Sequence, residues 1–148
     1  MSDRLTEFPD RRVWDLSEYI VDRILLTYQV RLTLLRGHET IDPTTLLRTN
    51  SSLTVDIESP FTVRVGSHID RVIPEQVLST VPVLPLLHQP VASLTAFRTG
   101  ALLLTFADGT EIEVPIDEQY ESWHTWGDGE LAGIGMEGTS HEGSPWGE

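Results

Sequence analysis

The sequence contains no cysteine and no lysine. Without Cys there is no disulfide framework, thiolate nucleophile, iron–sulfur cluster or Cys-based zinc site. Without Lys there is no P-loop phosphate ligand, no Schiff base and no kinase-type lysine. Positive charge is scarce as well: ten Arg face 23 acids, for a formal net charge of −13 over 148 residues. A general nucleic-acid binder needs a basic footprint, so that class is set aside. Cations drawn from Arg alone point to coding in a GC-rich genome rather than to ten selected bidentate contacts.

Long apolar segments are missing too. The start, Met1-Ser2-Asp3-Arg4-Leu5-Thr6-Glu7, lacks the apolar core of a secretory signal, so a cytoplasmic location is expected. Gln76 to Phe97 runs 22 residues without Asp, Glu or Arg, but His88, Gln89, Pro82, Pro85 and Pro90 interrupt it. It reads as core plus loops rather than a membrane span. At this length one domain is the default, and it can bury a core without staples.

The charge that is present is unevenly placed. Residues 1–98 hold 12 acids and all ten Arg, a net of −2, whereas residues 99–148 hold 11 acids and no Arg, a net of −11. Such asymmetry marks either a solubilising surface or an acidic face for a basic partner.

Period-two alternation dominates the middle of the chain. Tyr28, Val30, Leu32 and Leu34 share one phase, after an earlier strand at Ile20–Leu26. Leu53, Val55, Ile57 and then Phe61, Val63, Val65 form two more, with Glu58-Ser59-Pro60 between them as a turn or an edge bulge, since Pro cannot donate to the ladder. Pro74 fits the first position of a short helix, with Glu75 in its first turn and Pro82 and Pro85 ending it. Three runs, Val91–Phe97, Ala101–Ala107 and Thr110–Val114, read as a meander. Asp108-Gly109 suggests a type I′ turn, with Leu102, Leu104, Phe106, Ile112 and Val114 inward and Glu111 and Glu113 in solvent. Residues 1–12 read as flexible, 13–126 as a single β-rich domain, and 127–148, with seven of the 11 Gly and five acids, as a disordered acidic tail.

Chemical motifs are few. There is no G-x-S-x-G and no H-E-x-x-H. Glu121 and His124 make one E-x-x-H, short of the two such pairs a di-iron bundle uses, so no metal site and no cofactor is expected. Asp56 and Glu58 fall on one side of a strand; a solvated outer face is the commoner meaning of that pattern than an acid/base pair. Gly127 to Gly135 is glycine-rich, but its acids would repel phosphate. The candidate binding surface is therefore acidic and aromatic: Asp108, Glu111, Glu113, Asp117, Glu118, Tyr120, Glu121, Trp123 and Trp126. No catalytic residue is nominated.

The stretch Phe97-Arg98-Thr99-Gly100-Ala101-Leu102-Leu103-Leu104-Thr105-Phe106-Ala107-Asp108-Gly109-Thr110, with Val114-Pro115 and Tyr120-Glu121-Ser122-Trp123, resembles an uncharacterised family of small β-rich actinobacterial proteins. It is also similar to immunity proteins of polymorphic toxin systems, in which a strand, a D-G turn and a Y-E-x-W segment recur. That resemblance implies a non-enzymatic binder and carries no catalytic residues. Such proteins often continue into a Gly turn and a final apolar strand; here Gly127-Asp128-Gly129-Glu130-Leu131 begins in that way and then turns tail-like.

The expected fold is mainly β: an antiparallel sheet as meander, sandwich or partly open barrel, with about six to eight strands and one short helix. The expected function is a non-enzymatic acidic binding protein, extending to an immunity-type inhibitor that occludes a basic toxin or nuclease. The alternatives are a small-ligand-binding or hydrolytic β-sandwich or barrel, and an oligomeric structural protein pairing through a strand edge. The expected partner is a basic protein, with no nucleic acid and no membrane, and the oligomeric state is open.

Overall fold

The computed structural model describes residues 4–36, 40–41, 48–49, 51–116, 122–131 and 134–138. The strands are β1 (Leu5–Glu7), β2 (Arg11–Asp15), β3 (Tyr19–Leu26), β4 (Val30–Arg36), β5 (Thr40–Ile41), β6 (Arg48–Thr49) and β7 (Ser52–Ile57). They continue as β8 (Phe61–Val65), β9 (His68–Val72), β10 (Val91–Phe97), β11 (Leu102–Phe106), β12 (Glu111–Val114), β13 (Trp123–Asp128) and β14 (Gly135–Gly138). A 3-10 helix, Val77–Leu86, separates β9 from β10, and a 3-10 turn, Gly129–Leu131, separates β13 from β14.

The strands pair antiparallel into two main sheets. Seven strands lie in the order β1-β2-β10-β11-β12-β8-β9 and five in the order β14-β13-β7-β4-β3, with β5 and β6 as a separate ribbon. The expected mainly β fold takes the form of a two-sheet sandwich and not a closed barrel. Alternation decides which side of each sheet faces inward. Val30, Leu32 and Leu34 on β4 and Leu53, Val55 and Ile57 on β7 meet Leu94 on β10, Leu102, Leu104 and Phe106 on β11, and Ile112 on β12 in one core. Leu104 stands opposite Ile112 and Leu102 opposite Val114, as the meander predicts. Among the described residues no helix is long and apolar enough to cross a membrane.

Five local features differ from the expectations. Part of the stretch read as flexible forms the β1–β2 hairpin, with Glu7 opposite Arg12 and bonded to it as an ion pair. Its alternation is faint because Trp14 is the one buried residue of β2; pairing of β2 with β10 supplies the rest. Tyr28 falls out of phase because the turn at 27–29 puts it before β4, where it is exposed. The segment 127–138 is not all tail, since it completes β13 and forms β14; residues 139–148 lie outside the described residues.

The turn at Asp108-Gly109 is also of another type. Type I′ needs positive φ at both central positions, and here Gly109 has φ 92° while Asp108 is not in that region. The Gly109 N–H donates to the Phe106 carbonyl and the Phe106 N–H to the Thr110 carbonyl. This is a type I turn closed by a left-handed Gly bulge. The β10–β11 turn repeats it: Gly100 has φ 105° and its N–H donates to Phe97.

The helix differs in kind. It is a 3-10 helix that starts at Val77 and passes through both Pro82 and Pro85 instead of ending there. Three residues per turn place the two prolines on one line, and a buried row of Thr80, Val83 and Leu86 on another anchors the segment. The helix packs against β9 of one sheet and β3 of the other. At its exit His88 has φ 68°, which lets its N–H reach the Val21 carbonyl on β3 at 2.7 Å.

Gly127 occupies a position that only glycine fits. A Cβ there would collide with the Leu131 carbonyl and side chain, whereas a Cβ at Gly135 meets nothing. Gly127→Ala is expected to lower the unfolding free energy by about 1–3 kcal/mol. Gly135→Ala should change it by no more than about 0.5 kcal/mol, both read by urea denaturation.

Candidate functional site

An acid buried on an outward face is the most unusual placement in the molecule. Register aligns Leu25, Arg31, Asp56 and His124 across β3, β4, β7 and β13 on the outer side of the five-stranded sheet. That side should be wet, yet Asp56 is only 1% exposed. A carboxylate in such a place must be neutralised by its neighbours. Arg31 does so bidentately: Nε donates to Oδ1 at 2.8 Å and Nη2 to Oδ2 at 3.0 Å. The Gln29 side-chain amide donates to Oδ2 at 3.2 Å, and His124 Nε2 lies 3.1 Å from the same oxygen. The bonds to Asp56 hold the Arg31 guanidinium pKa above its ordinary value, against a smaller opposing effect of burial.

Trp126 covers this cluster. It sits two residues beyond His124 on the same side of β13, and the two rings stack at 5.4 Å with 22° between planes. The Arg31 guanidinium carbon lies 5.2 Å from the Trp126 ring centroid, a cation–π distance. Trp126 itself keeps 40% exposure, and Leu25 and Tyr28 are also exposed. The face thus combines a half-exposed indole, a positioned guanidinium and a second aromatic, the side-chain types that anchor interfaces.

An aspartate oriented on a histidine is also the base of hydrolytic triads. Among the described residues, however, no hydroxyl bonds the imidazole, and Thr125, next in sequence, is buried on the inward side. The Asp56 carboxylate already accepts three hydrogen bonds from Arg31 and Gln29. The arrangement is suited to holding a surface rigid. Asp56 is therefore neither the solvated residue nor half of the acid/base pair that its spacing from Glu58 suggested; β7 ends at Ile57, and the Glu58 N–H donates to the Ser122 carbonyl.

The nominated interface residues divide. Trp123 is fully buried, and its indole N–H donates at 2.8 Å to the Gly100 carbonyl in the opposite sheet, so it is a core residue with no surface to offer. Trp126 belongs to the outer-face cluster just described. Asp108, Glu111 and Glu113 lie on the other sheet, at and after the β11–β12 turn. Glu113 is exposed, while Glu111 is partly buried and paired with Arg64. Asp117, Glu118, Tyr120 and Glu121 lie outside the described residues. The structure thus places Trp126 apart from the acids of the hairpin.

Residues 13–138 match the model of a family of unknown function (DUF6188). The chain belongs to that family. The DUF6188 match begins in β2 and ends with β14, so it takes in both main sheets apart from β1 and the start of β2, and every member of the Asp56 cluster. No curated protein and no solved structure matches the chain.

Gln29, Arg31 and His124 were not nominated from sequence. The one signal available was alternation across Trp123–Asp128, which would have put His124 and Trp126 together on one side and Trp123 on the other.

Two outcomes test these assignments. Arg31→Ala should destabilise the fold by about 2–3 kcal/mol, below the full value for a buried pair because Arg31 is partly exposed. The double variant with Asp56→Ala should recover part of that loss, so a chemical-denaturation cycle that shows no coupling would refute the ion pair's role. At the hairpin, the Thr110 N–H bonds the Asp108 carboxylate at 2.9 Å and holds its pKa below the ordinary carboxylate value. That contribution is present above the ordinary value and disappears as pH falls through the lowered one. The destabilisation caused by Asp108→Ala should therefore shrink in acid, and a carboxyl NMR titration should place the Asp108 midpoint below that of an exposed aspartate.

Proposed function

We propose that this protein is a cytoplasmic, non-enzymatic binding protein that takes a basic protein partner. The closest functional description is an immunity-type inhibitor that occludes a basic toxin or nuclease with its acidic C-terminal third. An actinobacterial source fits the Arg-only cation set.

One observation carries the reading. Five of the ten Arg pair with acids of the first two thirds of the chain: Arg4 and Arg36 with Glu18, Arg11 with Asp10, Arg12 with Glu7 and Arg31 with Asp56. Arg64 pairs with Glu111, which lies in residues 99–148. That third carries 11 acids and no Arg of its own, so its charge is unbalanced within the segment. An uncompensated field of one sign raises the encounter rate with a partner of the opposite sign. The rigid face around Trp126 supplies the anchor types that a purely electrostatic surface lacks.

The test uses the full chain as bait in its source cells, followed by kinetics with the captured partner. Asp108, Glu113, Asp117, Glu118 and Glu121 are changed together to Arg, sparing Glu111 because it holds Arg64. The partner should be basic, its association rate should fall by at least about tenfold in the variant, and the salt dependence should flatten. Equal rates and equal salt slopes in the two proteins would refute the acidic interface.

A further inference from the structure

We propose that the exposed side of the 3-10 helix Val77–Leu86 is a self-association surface that joins two copies of this chain. A 3-10 helix has three residues per turn, so positions three apart form straight rows along its axis. One row, Thr80, Val83 and Leu86, is 0–4% exposed and packs into the sandwich. Another, Leu78, Val81, Leu84 and the following Leu87, is 42–88% exposed, with Val77 beside it at 66%. A segment this short would normally turn polar residues outward. This one is apolar on both sides.

Charge identifies the occupant. Gln76 to Phe97 carries no Asp, Glu or Arg, in a chain whose net charge is −13. A basic partner would find no acid to pair with on this row, and a polar one would leave the row's apolar area unmatched. Elsewhere two copies repel each other through their acids. Along Val77–Leu87 the chain adds no charge to that repulsion, with Glu75 exposed just before it, and the surface that matches an uncharged apolar row is the same row on a second molecule. A two-fold axis across the helix satisfies that match: antiparallel rows set Leu78 of one copy against Leu87 of the other and Val81 against Leu84.

Area is sufficient. The row is on the scale of the roughly 300–600 Å² that forms the largest apolar patch of a typical monomer. Two such faces pressed together approach the roughly 1,000 Å² at which specific interfaces begin. The pair is accordingly a reversible dimer that forms as concentration rises. Strand edges are a different route to association, and β9, the neighbouring edge of the seven-stranded sheet, is guarded by His68, Asp70 and Arg71, with His68 and Asp70 3.0 Å apart.

Sedimentation velocity and equilibrium of the full chain, from low micromolar to near-millimolar, give the answer. The mass average should rise from 16.6 kDa toward twice that value. High salt should preserve or strengthen the dimer by screening the acids, the opposite of its effect on binding to a basic partner. Leu78→Glu and Val81→Glu should each keep the protein monomeric throughout while leaving its thermal unfolding unchanged, because both side chains are exposed. Ile69→Glu on β9 should leave the dimer intact. A wild-type chain that stays monomeric at every concentration overturns the proposal. So does a dimer that survives both helix variants or is lost through Ile69→Glu, and so does a monomer that instead sediments with zwitterionic lipid vesicles.

Discussion

The Asp56–Arg31 ion pair is the interaction on which the outer face of the five-stranded sheet depends. A carboxylate sealed from water on that face would be intolerable alone, and the bidentate guanidinium makes it possible. Because register sets Arg31, Asp56 and His124 side by side on β4, β7 and β13, the pair also ties three strands together through their side chains. The bonded guanidinium is then held where Trp126 can lie against it. Remove the acid and Arg31 would be free to swing to solvent, leaving the indole without its cationic neighbour. One buried charge thus orders an aromatic surface that would otherwise be a set of independent side chains.

Edges impose a second constraint. Among the described residues the two open sheets present four edge strands, and each is blunted by a local device. On β3 a bulge between Val21 and Arg23 carries Asp22, and residues 88–90 cover the first half of the strand through bonds between Val21 and both His88 and Gln89. β9 carries charged residues, β1 is three residues long and β14 four. These devices work against the strand-edge oligomer. The apolar row of the 3-10 helix lies beyond any of them, which is why exposure there is a different matter from exposure at an edge.

The parts of the fold legible in the sequence were those where one period accounts for burial. β4, β7, β8, β11 and β12 alternate plainly, so their core residues are legible, and for β11 and β12 the cross-strand partners are legible too. β2, β9 and β13 could not, because their strand character comes from neighbours distant in sequence: β2 from β10, β9 from β8, and β13 from β7. Turn chemistry was half legible. Asp108-Gly109 marks a hairpin, but composition alone does not separate a two-residue turn from a type I turn with a Gly bulge, since both want glycine at the left-handed position. The Asp56 cluster was the least legible feature. Arg31 and Asp56 lie 25 positions apart and Asp56 and His124 lie 68 apart, and an acid between Val55 and Ile57 reads as an ordinary solvent-facing residue until the register is known.

β13 joins these constraints in a single strand. Trp123 and Trp126 are three residues apart, an odd spacing, so the pleat sends one indole inward to the Gly100 carbonyl and the other outward onto Arg31. The inward indole locks the strand to the opposite sheet, which fixes the backbone from which the outward one projects. The exposed Trp126 ring is therefore preorganised, with little rotamer freedom left for any contact to remove. The same strand leads through Gly127 and the 3-10 turn toward β14, so the rigid aromatic face and the acid-rich end of the chain share one support. Anchoring and long-range attraction are separate physical tasks, the first needing a dry and immobile surface and the second an exposed, uncompensated field. The division of this chain into an internally paired, Arg-bearing domain and an acid-only final third keeps those two requirements from working against each other.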